Sequence, residues 1–143
     1  MIDSILCATD GSHVSAKAVT FACGLARTLE VPLTFISVNM AQSSSDPRVR
    51  VWDAEMMRLG DEQVERELHA AHREARERGV PRISCVTVHS RDISQAIVDY
   101  AEENRIAHIV AGSTGRTGLA RLLIGSVASA IVARAHCPVT IVR

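Results

Sequence analysis

Short apolar segments alternate with longer amphipathic segments along the chain. Five of the short segments have four to six residues, contain no Asp, Glu, Lys or Arg, and are rich in Val, Ile and Thr. Continuous apolar runs of this length are typical of strands that are buried on both faces. We predict β-strands over Ser4–Thr9, Leu33–Val38, Ile83–Val88, Ile106–Ala111 and Val139–Val142.

The intervening segments carry apolar residues at three- and four-residue spacing, which predicts helices with one buried face. These helices are expected over Ser15–Leu29, Asp53–Arg78, a segment opened by Asp92, and Val127–Ala135. The Arg and Glu residues of the long second helix are interpreted as its solvated face. Ala41–Asp46, followed by Pro47, is polar and predicts a long loop that acts as a lid.

Strands that alternate with helices predict an α/β fold, a doubly wound parallel sheet with helices on both faces. The length of 143 residues suits a single domain over 1–143. Ligands of such sheets bind beyond the carboxyl ends of the strands, where the strand order reverses. We therefore expect the chemistry in the loops that follow strands.

Charge and cysteine content exclude several classes of protein. Sixteen basic residues balance sixteen acidic ones, so no net field attracts nucleic acid or an anionic membrane, and neither is an expected partner. The first residues, Met1–Ser4, carry an acid where a signal peptide carries a base, which indicates a cytoplasmic protein. Four scattered cysteines without a C-x-x-C pair predict reduced thiols and no zinc site.

Glycine-rich turns follow the first and fourth predicted strands. Thr9–Ser12 follows the first, and the fourth is followed by Gly112, Gly115 and Gly118, with Gly125 before the last helix. Glycines let backbone amides approach an anion, and a helix amino end adds unpaired N–H groups. We expect amides of the two turns to converge on a phosphate chain. A Walker loop is excluded because Lys17, in the first helix, is the only lysine, and G-x-G-x-x-G is absent.

The glycine spacing resembles that of the universal stress protein family. Gly112 is followed after two residues by Gly115, and after nine more by Gly125–Ser126. The segments ILCATDGS (5–12), GRTGLARLLIGSV (115–127) and CPVTIVR (137–143) are also similar to that family, so the resemblance extends from end to end. Two departures are Thr114, where many nucleotide-binding members have histidine, and Ser90–Arg91, where glycine is common.

The resemblance implies a five-stranded parallel sheet of order 3-2-1-4-5, a Rossmann-like fold of the adenine nucleotide alpha hydrolase type. It also implies a bound adenine nucleotide. The adenine and ribose end would be lined by Ala8, Thr9, Asp10 and Val38. Ribose and phosphates would contact Gly112, Ser113, Gly115, Gly125, Ser126 and Val127, with Arg116 or Arg121 adding charge from the rim.

The functional expectation is an ATP-binding regulatory protein of the stress response, with ADP or AMP as alternatives. Phosphate oxygens would hold Mg²⁺ or Mn²⁺, and Asp10 would contact the metal ion through a water molecule. No catalytic residue is expected, and any ATPase activity would be slow. A homodimer through Val139–Val142 is expected because the last strand leaves a sheet edge unpaired. An unknown protein partner would receive the signal. The alternative is a dimeric interaction module that works without nucleotide.

Several residues have a simpler interpretation beside the functional one. Asp10 and Ser12 suit the cap of the first helix. His69 and His72 lie one helical turn apart, but without a third ligand we interpret them as solvent-exposed. His108 is expected to be a core or edge histidine, and His136–Cys137 is not expected to act as a catalytic pair, because neighbours on extended backbone point apart.

Overall fold

A computed structural model describes residues 1–40, 49–59, 65–114 and 124–143. Its strands are β1 (Ile5–Ala8), β2 (Leu33–Asn39), β3 (Val49–Trp52), β4 (Ile83–His89), β5 (His108–Gly112) and β6 (Val139–Val142). Its helices are α1 (His13–Leu29), α2 (Ala54–Leu59), α3 (Arg66–Glu77), α4 (Ile93–Glu103) and α5 (Ser126–Arg134). The predicted α/β class, with helices on both faces of the sheet, is confirmed.

The sheet has six strands in the order β3-β4-β2-β1-β5-β6. Strands β4, β2, β1, β5 and β6 pair in parallel, in the order expected for the five predicted strands. The strand count was wrong, because β3 adds an antiparallel strand beside β4. The order reverses at β1, whose neighbours are β2 and β5, so the carboxyl ends of β1 and β5 lie side by side.

Strand β3 was not predicted from the sequence because its valines are not buried. Val49 and Val51 are 42% and 68% exposed, so this short edge strand gives no continuous apolar run. Trp52 alone turns inward, where its Nε1 donates to Thr87 Oγ1 at 3.3 Å. The guanidinium of Arg50 lies 4.8 Å from the centre of the Trp52 ring. The proposed lid over 41–46 lies outside the described residues.

The core has two layers, one on each face of the sheet. One contains Phe35 and Cys7 of the sheet with Ala22 of α1 and Leu68 of α3, all fully buried. The other packs Ile36 and Ile109 against residues of α4 and α5, including Ile97 and Ile131. Successive strand residues enter opposite layers, which explains the continuous apolar runs. No helix within the described ranges has the length and apolar character that crossing a bilayer requires.

The predicted helix over Asp53–Arg78 is interrupted. Residues 60–64, which include Val64, lie outside the described residues, and Glu65 is extended at φ −66° and ψ 141°. Leu59, expected on the buried face, is 73% exposed. His72, expected in solvent, is buried, and burial and nearby Arg76 lower its pKa. Helix α3 buries Leu68, Ala71 and Ala75, as the periodicity predicted, and adds His72 to that face.

None of the four cysteines, all of which the structure describes, forms a disulfide. Cys7, Cys23 and Cys85 are buried in the layer beneath α1 and α3. Burial raises the pKa of Cys23 and of Cys85 to about 12, so both remain protonated thiols near neutral pH. These residues act as small core side chains.

Candidate functional site

A cavity of about 480 Å³ opens at the carboxyl ends of β1, β2 and β5. It lies where the strand order reverses, which is the expected ligand position in a doubly wound sheet. The amino ends of α4 and α5 close it on one side, and the first turn of α3 reaches it from the other. The fold thus concentrates strand-end loops and helix amino ends around one space.

Nine of the eleven residues that the sequence analysis placed in the site line this cavity. They are Ala8, Thr9, Asp10, Val38, Gly112, Ser113, Gly125, Ser126 and Val127. The other two, Gly115 and Arg116, lie outside the described residues, as do Gly118 and Arg121. The two glycine turns are therefore adjacent in the fold, as the sequence analysis required.

The turn after β1 is held by its own side chains. Asp10 Oδ1 accepts a hydrogen bond from the Ser12 amide at 2.9 Å, and Ser12 Oγ accepts one from the Ser15 amide at 3.1 Å. Gly11 has φ 77°, a left-handed conformation that favours glycine. Asp10 therefore fixes the turn and lines the cavity at once, so the structural and functional interpretations of this residue are compatible.

Ser15 lines the cavity although the sequence offered no signal for it. Its hydroxyl is buried, lies 3.3 Å from Thr9 Oγ1, and donates to the Ser12 carbonyl at 3.2 Å. The residue occupies an ordinary position in an amphipathic helix. Ser15 reaches the site because the start of α1 packs over the end of β1.

Two of the amides expected to face a phosphate already have protein acceptors. The Ser113 amide donates to the Val142 carbonyl at 2.7 Å, and the Gly125 amide donates to the Ser113 carbonyl at 2.7 Å. These bonds tie the turn after β5 to β6 and to the start of α5. The expectation that both glycine turns direct amides at a ligand is therefore wrong for these two groups.

Gly112 lies at a close contact between β5 and α1. A Cβ built there would lie 3.0 Å from Val14 Cγ1, 3.2 Å from the Val14 carbonyl carbon and 3.3 Å from the Ser15 nitrogen. A real Cβ atom at those distances would press on the backbone of the first turn of α1. The glycine lets α1 lie directly against the end of β5, and so keeps the two cavity-lining turns together.

The amino end of α5 supplies backbone donors in the cavity wall. The first hydrogen bond of the helix runs from the Ser129 amide to the Gly125 carbonyl at 2.9 Å. The amides of Ser126, Val127 and Ala128 precede it and have no acceptor one turn back within the helix. All three residues line the cavity. Together with the helix dipole, these groups favour an anion at this end.

The opposite end of the cavity contains polar side chains that sequence analysis missed. Ser37 Oγ lies 3.2 Å from Glu65 Oε2 and 3.4 Å from Glu67 Oε1, and donates its proton to one of them at a time. Asn39 Nδ2 donates to Glu65 as well. Glu67 lines the cavity, so the interpretation of these acids as a solvated helix face is wrong. The contact joins residues 30 positions apart, which periodicity cannot reveal.

An apolar wall completes the cavity on the α4 and α5 side. It consists of branched aliphatic side chains from the sheet and the two helices, namely Ile36, Val38, Ile93, Ile97 and Ile131. Such a surface suits a flat, weakly polar ring system. The cavity therefore combines an apolar wall, the amino end of α5 and a polar wall that includes Asp10 and Glu67.

Comparison with known proteins identifies the family. The sequence model of the "Universal stress protein family" matches residues 1–143. The chain belongs to the universal stress protein family. A universal stress protein of Methanocaldococcus jannaschii is 32% identical over 144 residues, covering 97% of this chain and 81% of that protein.

Two solved universal stress proteins share the fold of this one. One, crystallised in complex with cAMP, is 24% identical with a TM-score of 0.73, covering 99% of this chain and 97% of that one. The other, from Archaeoglobus fulgidus in complex with dAMP, is 22% identical with a TM-score of 0.69 over 100% of both chains. At these identities the comparison establishes the architecture of the sheet and its helices.

None of the six histidines of this universal stress protein lines the cavity. His108 Nε2 and Thr140 Oγ1, 2.8 Å apart, link β5 to β6, and burial lowers the pKa of His108. His136 pairs with Glu102 at 3.1 Å on the surface, while burial raises the pKa of Cys137. Among the described residues no group of three or more His, Cys, Asp and Glu could hold a metal ion. These residues have local structural contacts.

Proposed function

We propose that this universal stress protein binds an adenine nucleotide in the cavity and acts as a nucleotide-dependent regulatory protein. The observation that carries the proposal is the arrangement of the cavity at the reversal of strand order. Helix-end amides at Ser126–Ala128 would bind phosphate, and the wall of Ile36, Val38 and Ile97 would contact the base. The ribose would lie between them, near Asp10.

Relatives support the choice of nucleotide. Two proteins with the same fold have structures in complex with adenine mononucleotides, one with cAMP and one with dAMP. AMP, ADP and ATP share the adenosine group and a phosphate that a helix end can bind. We propose binding of this class, with the number of phosphates set by the charge in the cavity and by metal ions.

A divalent cation would be held mainly by the nucleotide. Mg²⁺ and Mn²⁺ prefer oxygen ligands, and Asp10 is a carboxylate in the cavity wall that suits contact through a water. Because the described part of the chain has no cluster that could hold a metal by itself, phosphate oxygens would supply most ligands. We propose little or no hydrolysis, since Asp10 is engaged in its turn and would lie near the ribose, away from the terminal phosphate.

Calorimetry tests the proposal. Titration of the purified protein with AMP, ADP and ATP, with and without Mg²⁺, is expected to give saturable heat, with ATP binding strengthened by the ion. The ion matters because the described cavity residues carry the negative charges of Asp10 and Glu67, which repel a triphosphate. Absence of heat for all three nucleotides at high micromolar concentration would reject the proposal.

The alternative function is a dimeric interaction module that works without nucleotide. It is favoured by the packing role of Gly112 and by the internal hydrogen bonds of Ser113 and Gly125, which explain these residues through folding alone. Mass spectrometry of an organic extract of the purified protein separates the two functions. A stoichiometric adenine nucleotide supports the sensor, and a clean extract together with silent calorimetry supports the module.

We propose dimerisation through β6. The Pro138 carbonyl accepts a hydrogen bond from Ile109 of β5, and the Val142 carbonyl accepts one from Ser113, which follows β5. Alternate residues such as Ile141 therefore direct their backbone groups to the outer edge of the sheet. Ile141→Pro removes an outward N–H and keeps the pairing with β5. The wild type is expected to sediment as a dimer and the variant as a folded monomer. A monomeric wild type would contradict the proposed dimer.

A further inference from the structure

The cavity wall contains two carboxylates from different parts of the chain. Among the described residues that line the cavity, Asp10 and Glu67 are the charged side chains. Asp10 follows β1, and Glu67 belongs to the first turn of α3. The sequence resemblance pointed to Asp10 alone, and Glu67 is assigned to the cavity by the structure.

Both carboxylates lie on the same side of the cavity. A shallower groove of about 510 Å³ runs between α1 and α3, and it shares Thr9, Asp10, Ser15 and Glu67 with the cavity. These four residues form the divide between the two spaces. The divide faces the apolar wall across the cavity and is distinct from the amino end of α5.

Glu67 lies beside the sheet through its contact with Ser37. Glu67 Oε1 lies 3.4 Å from Ser37 Oγ, and the Ser37 side chain is buried. Ser37 follows Ile36, which pairs with Ala8, so Ser37 lies beside Thr9. The Glu67 carboxylate therefore lies on the same side of the cavity as the Thr9–Asp10 turn.

The chemistry of this divide suits sugar hydroxyls. A nucleotide with its phosphate at α5 and its base on the apolar wall presents its ribose to Asp10 and Glu67. Carboxylates accept hydrogen bonds from hydroxyl groups, and such charge-assisted bonds are stronger than neutral ones. A phosphate ester on the 3′ oxygen removes one donor and brings an anion towards two carboxylates, which repel it.

We infer that Glu67 is a specificity-determining residue whose carboxylate, with that of Asp10, selects 5′-nucleotides with a free 2′,3′-diol over 3′,5′-cyclic and 3′-phosphorylated nucleotides. The inference rests on the proposed function of the cavity. It identifies the ligand class as linear adenosine 5′-phosphates.

Competitive calorimetry on the full chain tests this selectivity. Dissociation constants for 5′-AMP, 3′,5′-cAMP and 3′-deoxy-AMP are measured for the wild type, Glu67→Gln and Glu77→Gln. Glu77 lies on the same helix, is exposed and lines neither space, so its variant is a matched charge control. Thermal unfolding of each variant establishes that it is folded.

The wild type is expected to bind 5′-AMP at least about tenfold more tightly than cAMP, the size of one charge-assisted hydrogen bond. Glu67→Gln should reduce that ratio to about threefold or less, while Glu77→Gln keeps it. Equal affinities in the wild type, or an unchanged ratio in Glu67→Gln, would overturn the inference and leave nucleotide binding intact. Failure of every nucleotide to bind would overturn the proposed function and this inference with it.

Discussion

Ser126→Asp is expected to weaken AMP binding at least about a hundredfold while the protein stays folded. Ser126 is the first residue of α5, lines the cavity and is exposed. A carboxylate there would lie beside the proposed phosphate position. Two unit charges about 4 Å apart repel by about 4 kcal/mol at an effective dielectric constant near 20, and about 1.4 kcal/mol corresponds to a tenfold change in affinity.

The same substitution should not harm the helix. An acidic residue in the first turn interacts favourably with the helix dipole, by about 0.3–1 kcal/mol. Loss of binding with an unchanged or raised melting temperature would therefore report on the ligand contact.

Two controls separate charge position from general effects. Ser129→Asp adds the same charge one turn further along, at an exposed residue that does not line the cavity. Its effect on affinity is expected to stay below about fivefold because solvent screens the charge. Ser126→Ala keeps the backbone amides and should cost less than about tenfold, the size of one hydrogen bond. Equal affinities of Ser126→Asp and wild type would contradict the assigned phosphate position.

Gly112→Ala is expected to destabilise the fold by about 2 kcal/mol, the usual cost of overfilling a packed contact. The added methyl would lie 3.2 Å from the Val14 carbonyl carbon and 3.3 Å from the Ser15 nitrogen, both of which are backbone atoms. Either α1 or β5 must move to relieve this contact. Thermal and urea unfolding measure the loss, which should appear as a melting temperature lower by several degrees.

Gly24→Ala is the matched control for this loss. Gly24 lies within α1, and a Cβ built there has nothing within 4 Å. Replacing an unconstrained helical glycine by alanine should stabilise the fold by about 0.5–1 kcal/mol. The two glycine substitutions are therefore expected to have opposite signs. A Gly112→Ala protein as stable as the wild type would contradict the close approach of α1 to β5.

Most of the residues predicted for the candidate site line one cavity because the sequence signals behind that prediction are local. Asp10 and Gly112 each follow a continuous apolar run, and parallel strands bring such positions to one edge of the sheet. The pairing of β1 with β5 then places the two turns side by side. The prediction of these two turns therefore depended mainly on the position of Asp10 and Gly112 relative to the strand ends.

The sequence could not predict contacts between segments that are distant along the chain. Glu67 meets Ser37 only because α3 crosses the end of β2, and the Ser113 amide finds its acceptor at Val142 across the β5–β6 pair. Strand β3 was missed for a different reason: Val49 and Val51 are exposed, so this strand lacks the continuous apolar run of a buried strand. Periodicity describes burial along one element, and these features depend on which elements meet.

Amide chemical shifts during titration with 5′-AMP test the central claim most directly. In ¹⁵N-labelled protein, the largest changes are predicted at the backbone amides of Ser126, Val127 and Ala128, where the helix leaves its donors without internal acceptors. Smaller changes are predicted at Thr9 and Asp10, which line the same cavity. Shifts confined to the groove between α1 and α3, or a spectrum unchanged at saturating AMP, would contradict nucleotide binding at this site.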